Sequence, residues 1–439
     1  MTTPSPEPLP QLDLASLQAD LSGDLTRPTL LGFTAQSWLR AQRELGPVFA
    51  VPAMNTAVLA GRDASRSAWR NPQDWSYAQT GLGQAFRAQL GEGYITASDG
   101  DAHWEQRRVL QPLFNSDNIQ RHAPVVATLL AQGLQASSGQ PVELHDTLVL
   151  LFTRILNHSM VRTGASDAQI QSFARFEEEF IRGATAADSA AWYARPAYRQ
   201  LHDEVFSFFR ALVQARLAGE RGDDNLDLLV DALRKRGAEP DLDELVRDAY
   251  LMQAGGAGNI ASLCCSLLWA LLQHPEWLQR VREELASFDP AQLARSGMQG
   301  LTATRAAILE TERRYPVTPG MPKLALNDVV VQGRRVPAGS QVFHLFTLEH
   351  FLEEDYPEPF DYRPQRWLDG KPPRPNAFGG GRHMCIGMNL AYLHLLQTLA
   401  LLLKDYEIDA GQGPRLAPIE PDNPDSPSRM VFEVSLRSR

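Results

Sequence analysis

The segment Phe378-Gly379-Gly380-Gly381-Arg382-His383-Met384-Cys385-Ile386-Gly387 ends a glycine-rich stretch on a cysteine, just ahead of an amphipathic run that reads as a helix. Three consecutive glycines let the backbone turn tightly and approach a ligand or a sulfur closely. A cysteine before a helix N-terminus sees backbone N–H groups and the positive end of the dipole, and both favour the thiolate. A thiolate there needs a metal or a reactive role. The alternative for a free cysteine is a small buried hydrophobe, and the residues alone leave both open. No second Cys or His stands at zinc spacing, which argues against a tetrahedral metal site. One thiolate in a large apolar fold suits haem iron better.

Other spacings carry less on their own. Glu310 and Arg313, three apart, share one helix face and can pair, as solvated surface charges commonly do. His103 and Arg107, four apart in Asp99-Gly100-Asp101-Ala102-His103-Trp104-Glu105-Gln106-Arg107-Arg108, can both reach one anionic group. They also fit an ordinary polar helix face. Three glycines between Gly255 and Gly258 sit inside a long helical pattern, each costing about 1 kcal/mol against Ala.

These residues must be positioned by a mostly α-helical chain with a small β region. Helical periodicity dominates from about residue 12 to 287, most clearly over Arg121–Ser137, Asp167–Gly183, Arg199–Ala218 and Asp241–Gln273. Glycine and proline mark the stops, as at Gly139-Gln140-Pro141. Between Pro316 and Pro375 the character changes to short strands (Val329-Val330-Val331, Val336, Val342-Phe343) and a proline-rich meander. That irregular stretch reads as built around something rather than as a connection. A last helix follows Gly387 and ends near Asp405. With no internal repeat, residues 1–439 read as a single domain, with 1–20 as a flexible N-terminal segment.

The 439 residues carry 42 Lys+Arg against 52 Asp+Glu, a formal net charge of −10. That acidic balance argues against a nucleic-acid partner. At 44% hydrophobic and 21% charged the chain is of globular type. Cys264, Cys265 and Cys385 form no disulfide framework, which points to a reducing cytoplasm. The N-terminus has neither a basic nor an apolar targeting region, and the apolar runs are too short or interrupted to span a bilayer, so no membrane anchor is expected.

The cysteine segment resembles the ligand loop of the cytochrome P-450 haem-thiolate superfamily, F-G-x-G-x-[HR]-x-C-x-G, at Phe378, Gly379, Gly381, His383, Cys385 and Gly387. The resemblance extends in order to Glu310-Thr311-Glu312-Arg313 (E-x-x-R), Pro364-Gln365-Arg366-Trp367 (P-x-R-[FW]) and the Asp99–Arg107 stretch (D-G-x-x-H-x-x-x-R). It implies a single cytochrome P-450 fold of the soluble bacterial type. Haem b would lie between the long helix at 241–273 and the helix beginning near Gly387. By resemblance Cys385 is the iron ligand, Phe378 packs near the sulfur, and His383, His103 and Arg107 meet haem propionates. Lys323 stands where an arginine often faces a propionate, and Glu310, Arg313 and Arg366 form a structural ion triad.

One segment departs from the family. The oxygen-binding groove, [AG]-G-x-[DE]-T-[TS], corresponds to Gly255-Gly256-Ala257-Gly258-Asn259-Ile260, with Gly258 for the acid and Asn259 for the threonine. The acid–alcohol pair delivers protons in the family, so its absence shifts the proton source. The implied activity is a monooxygenase that hydroxylates a hydrophobic small molecule (lipid, terpenoid or carotenoid, fatty acid or polyketide). Electrons would come from a separate ferredoxin or flavodoxin with its reductase. By analogy the pocket is lined by Tyr94, Ile95, Ala254, Ala257, Asn259, Val317 and Thr318. Two rival functions on the same fold are a peroxide-rearranging isomerase or dehydratase, and a non-enzymatic haem binder or gas sensor.

Overall fold

The computed structural model describes residues 7–19, 29–235, 237, 241–289, 298–411, 413–416 and 430–439. Its principal helices are α1 (Arg62–Arg70), α2 (Gly100–Leu110), α3 (Ala123–Ala136), α4 (Leu144–Met160), α5 (Asp167–Thr185), α6 (Pro196–Leu217), α7 (Leu242–Gln253), α8 (Ala257–Gln273), α9 (Thr302–Arg314) and α10 (Met388–Asp405). Two compact units emerge, each assembled from separate stretches of chain. The first comprises Met1–Gln84, Thr96–Trp104 and Ile308–Cys385, and the second Ala85–Ile95, Glu105–Ala307 and Ile386–Arg439.

The first unit is organised on a five-stranded sheet of β1 (Val48–Val51), β2 (Thr56–Ala60), β3 (Trp75–Ser76), β4 (Met321–Ala325) and β7 (Gln341–Leu345), in the order β1-β2-β7-β4-β3. Only the β2–β7 pairing is parallel. The valine-rich run expected to form strands and a turn is the hairpin β5 (Val329–Val331) and β6 (Arg334–Val336). Within the segment expected to be flexible, 7–19 is docked instead: Leu12 donates its N–H to Ala50 O at 2.8 Å, and Leu12 and Leu17 are buried beside Trp38 and Phe49. Two apolar side chains in an otherwise polar stretch supply that anchor.

The second unit is helical. Its helix starts are capped by side chains: Ser166 and Gln169 form a capping box on α5, Asp241 accepts from Glu244 N–H ahead of α7, and Glu143 accepts from His145 and Asp146 N–H ahead of α4. The α8 helix packs along α4 and against α10, and α10 is buried along most of its length.

The expected continuous helix over 241–273 is two helices. At Gly255 the backbone takes φ +77°, a left-handed conformation that glycine reaches without steric cost, and helical geometry resumes at Ala257. Among the described residues, Leu242–Gln273 is the one stretch long and apolar enough to cross a membrane. Its most apolar 18-residue window is 61% buried, as in core helices.

Candidate active site

Cys385 is exposed, at the end of a loop whose glycines are used for their shape. Gly379 (φ +71°) and Gly381 (φ +65°) are both left-handed, and Cys385 N–H donates back to Phe378 O at 3.0 Å. Gly380 is extended, so its role is clearance: a Cβ there would meet the Trp69 indole at 2.7 Å. Trp69, on α1, is braced in turn by His344 and Phe346, with ring centroids 5.2 and 6.1 Å away. The loop therefore rests on a tryptophan wedge supplied from elsewhere in the unit. The half-buried Gly387 follows the cysteine and precedes the first residue of α10.

Two of the expected propionate residues meet. The His103 and His383 rings lie 4.0 Å apart, tilted by 30°. His383 Nε2 is 3.5 Å from Asp99 Oδ1, and Asp99 also accepts from Tyr77 N–H at 3.1 Å and Ala78 N–H at 3.0 Å. The sequence reading gave Asp99 no task, yet it joins the start of α2 to the strand end at 76–78. Burial lowers the Lys323 pKa, against the opposing pull of the Asp99 carboxylate. Next to Lys323, His344 is held neutral, its pKa lowered to about 3 by burial and then by the lysine charge. Arg107 is buried one turn beyond His103 on α2.

The structure also brings Glu310, Arg313 and Arg366 together. Glu310 and Arg313 are fully buried and form a bidentate pair, Nη2 to Oε1 at 2.8 Å and Nε to Oε2 at 3.0 Å. Arg366 Nε reaches Oε1 at 3.1 Å. Trp367 Nε1–H (2.9 Å) and Arg363 N–H (2.8 Å) complete five donors on one carboxylate. Burial by itself would raise the Glu310 pKa, but the Arg313 bonds and the nearby positive charges outweigh it and hold the carboxyl below its ordinary value. Arg313 also donates to the carbonyls of His350, Pro359 and Asp361, so the triad clamps the meander.

In the second unit, Asn259 Nδ2 donates to Gly255 O at 3.2 Å, across the first turn of α8. A Cβ at Gly258 would meet open space, so nothing steric demands glycine there. On the other side of the break, Gly255 N–H donates to Glu177 on α5 at 2.7 Å. Glu177 escaped the sequence reading because it is one of three consecutive glutamates, a pattern that reads as a solvated face. Of the expected pocket residues, Tyr94 and Ile95 are buried, Ala254 half-buried and Ala257 buried in this unit. Val317, exposed, and Thr318, half-buried, belong to the first. The Tyr94 ring stacks on Phe86 at 5.8 Å, and Phe86 meets Phe180 edge-on at 4.8 Å.

The family model for Cytochrome P450 matches residues 34–426, which spans both units. A Mycobacterium tuberculosis protein named as a cytochrome P450 is 26% identical over 398 residues, covering 85% of this chain and 79% of that one. The cyclooctat-9-en-7-ol 5-monooxygenase of Streptomyces melanosporofaciens is 26% identical over 340 residues, 73% of each chain. The fold matches that of cyanobacterial CYP120A1, solved with retinoic acid bound, with a TM-score of 0.79 at 19% identity over 99% of this chain and 100% of that one. An exposed cysteine on a glycine loop, a mostly helical fold and these similarities together establish that the chain belongs to the cytochrome P450 family, as a haem-thiolate monooxygenase with haem b as its cofactor.

Proposed function

We propose that this protein hydroxylates a hydrophobic small molecule, taking electrons from a separate ferredoxin or flavodoxin system. The observation that carries the reading is Cys385, an exposed thiol ending a loop whose shape depends on left-handed glycines. The donor set fits haem b. Cys385 would be the iron ligand, with Phe378 packing near the sulfur. His103, Arg107, His383 and Lys323 offer donors and positive charge for the propionates. When bound, haem b supplies dioxygen activation and the insertion of one oxygen atom into a C–H bond.

The chain's own residues hold and shape the site. Trp69 and the glycines fix the loop, and the helix start behind Cys385 favours its thiolate. Tyr94, Ile95, Ala254, Ala257, Val317 and Thr318 are apolar or small and suit an apolar substrate. Asn259 and Gly258 hold the oxygen-side groove, where Asn259 can orient water but is no acid. The named substrate of the Streptomyces relative, cyclooctat-9-en-7-ol, is a mostly hydrocarbon alcohol, which supports a terpenoid-like class. That Cys264, Cys265 and Cys385 are free rather than disulfide-bonded supports a cytoplasmic setting.

The test is spectroscopic and then catalytic. The reduced carbonyl complex should show the red-shifted thiolate Soret band. Cys385→Ser should abolish it, while Cys264→Ser and Cys265→Ser should keep it. Turnover of apolar alcohols should require a ferredoxin or flavodoxin reductase and dioxygen. Conversion of an organic hydroperoxide, without reductant or second substrate, to its own isomer or dehydration product would instead indicate a rearranging enzyme, and a wild-type spectrum from Cys385→Ser would refute the ligand assignment.

A further inference from the structure

Glu177 follows Phe176, a member of an aromatic cluster. On the same helix Phe173, Phe176 and Phe180 are buried. Phe176 lies 5.7 Å from Tyr250, 5.8 Å from Phe206 and His202, and 5.9 Å from Tyr198. The Glu177 carboxyl accepts the Gly255 N–H at 2.7 Å, while Asn259 takes the Gly255 carbonyl from the other side. Among the described residues no other donor reaches Glu177. A carboxylate can accept about four hydrogen bonds, and Glu177 is half-buried, so its remaining oxygen is open to a further donor. A hydrogen bond to an ionised carboxylate is stronger than one between neutral groups, so a further donor there is favoured. Burial pushes the carboxyl up to about 7, against the Gly255 bond, so its charge changes near neutrality. Burial, and after it the Glu177 charge, hold Tyr250 protonated, and the expected pocket residue Tyr94 reaches this helix through Phe86, which meets Phe180 edge-on.

We infer that Glu177 is a specificity-determining residue of the ligand pocket, accepting a hydrogen bond from a hydroxyl of an otherwise apolar ligand at the α7–α8 break. The inference rests on the pocket assigned above to Tyr94, Ala254, Ala257 and Asn259. It narrows the ligand class. A hydroxyl supplies the donor that the carboxylate lacks, an ether supplies none, and a ligand carboxylate meets a like charge once Glu177 ionises.

Three probes of one chain length separate these cases: 1-decanol, decyl methyl ether and decanoate, bound to the haem-loaded protein and measured by equilibrium dialysis. In mildly alkaline buffer decanol should bind about tenfold more tightly than the ether, the scale of one hydrogen bond to a charged group, with decanoate weakest. In Glu177→Gln the amide oxygen still accepts from Gly255 N–H, so the break is kept, but the free corner now donates. The decanol preference should collapse by about tenfold, and the ether and decanoate should gain. In mildly acidic buffer Glu177 is protonated and can itself donate, so the wild-type preference should shrink towards that of the variant.

The other titratable groups packed around the neighbouring Phe176 are Tyr250 on α7 and Tyr198 and His202 on α6, with Tyr94 joined to Phe180 through Phe86. Burial first, and the Glu179 charge in addition, keep Tyr198 protonated. A His202→Asn variant that retains the pH response assigns it to Glu177. An unchanged reduced carbonyl spectrum in Glu177→Gln distinguishes lost ligand recognition from a failed haem-thiolate reading. An identical order of probes in wild type and Glu177→Gln, decanoate binding first in wild type, or binding of none of the three overturns the inference.

Discussion

Replacing Arg313 by alanine removes the centre of the densest polar network in the first unit. Arg313 makes two bonds to Glu310 and three to the carbonyls of His350, Pro359 and Asp361, with no exposure to solvent. Breaking a buried ion pair typically costs about 3–5 kcal/mol. Each of the three carbonyls left without a donor adds about 1 kcal/mol, for a total of roughly 6–8 kcal/mol. That is comparable to the whole stability of a typical domain, about 5–15 kcal/mol. Arg313→Ala should therefore yield little folded, haem-loaded protein.

Arg313→Lys keeps the charge but loses the planar fork and should be recoverable, destabilised by about 2 kcal/mol. The assay is urea unfolding followed in parallel by tryptophan fluorescence and haem absorbance. Because the native-state pKa of Glu310 is depressed, the network's contribution is fully present above the unfolded carboxyl value of about 4.3. It is lost as pH falls through the lower folded value. The gap between wild type and Arg313→Lys should be constant near neutrality and close only on strong acidification. A normal yield of Arg313→Ala with a wild-type unfolding midpoint would refute the reasoning.

Two further outcomes concern the loop and the helix break. Gly380→Ala should cost about 1–3 kcal/mol through overlap with the Trp69 indole. Trp69→Leu in the same chain should restore part of the loss in a thermal melt; an unaffected melt in the single variant would show that the wedge yields freely. Asn259→Ala deletes the bond to Gly255 O, worth about 1 kcal/mol, and should raise amide exchange at 254–257 and change the product formed per electron consumed. Identical exchange and coupling in Asn259→Ala, Asn259→Thr and the Gly258→Asp/Asn259→Thr pair would make Asn259 a bystander.

The site was legible where chemistry is local in sequence. The spacing from Phe378 to Gly387 states the loop almost residue by residue, because a tight turn around a sulfur admits few residue types. The three and four residue intervals of α5 and α6 likewise declare their buried faces, whereas α10 reads as amphipathic but is buried on all sides. Partners that depend on tertiary approach were not legible. Trp69 is an ordinary residue near the end of a short helix until Gly380 is placed against it. Glu177 looks solvated until Gly255, far along the chain, turns its N–H outward from the helix. The break itself was hidden because glycines such as Gly255, Gly256 and Gly258 within a strongly apolar pattern are consistent with both an intact and an interrupted helix. The docking of 7–19 was masked by composition, because two leucines decide it among many polar residues.

The parallel pairing of β7 with β2 has a consequence for how the chain is made. Val342 sits beside Ala57, and everything that builds the second unit up to Ala307 lies between them in the sequence. During synthesis β1 and β2 leave the ribosome as an antiparallel pair whose inner edge stays open until most of the polypeptide has emerged. Such late, non-local closure is slow, and it leaves a β-rich edge available to other chains in the meantime. Nascent protein should thus be most vulnerable to aggregation before β7 emerges, and chaperone demand should fall sharply once Leu345 has cleared the exit tunnel.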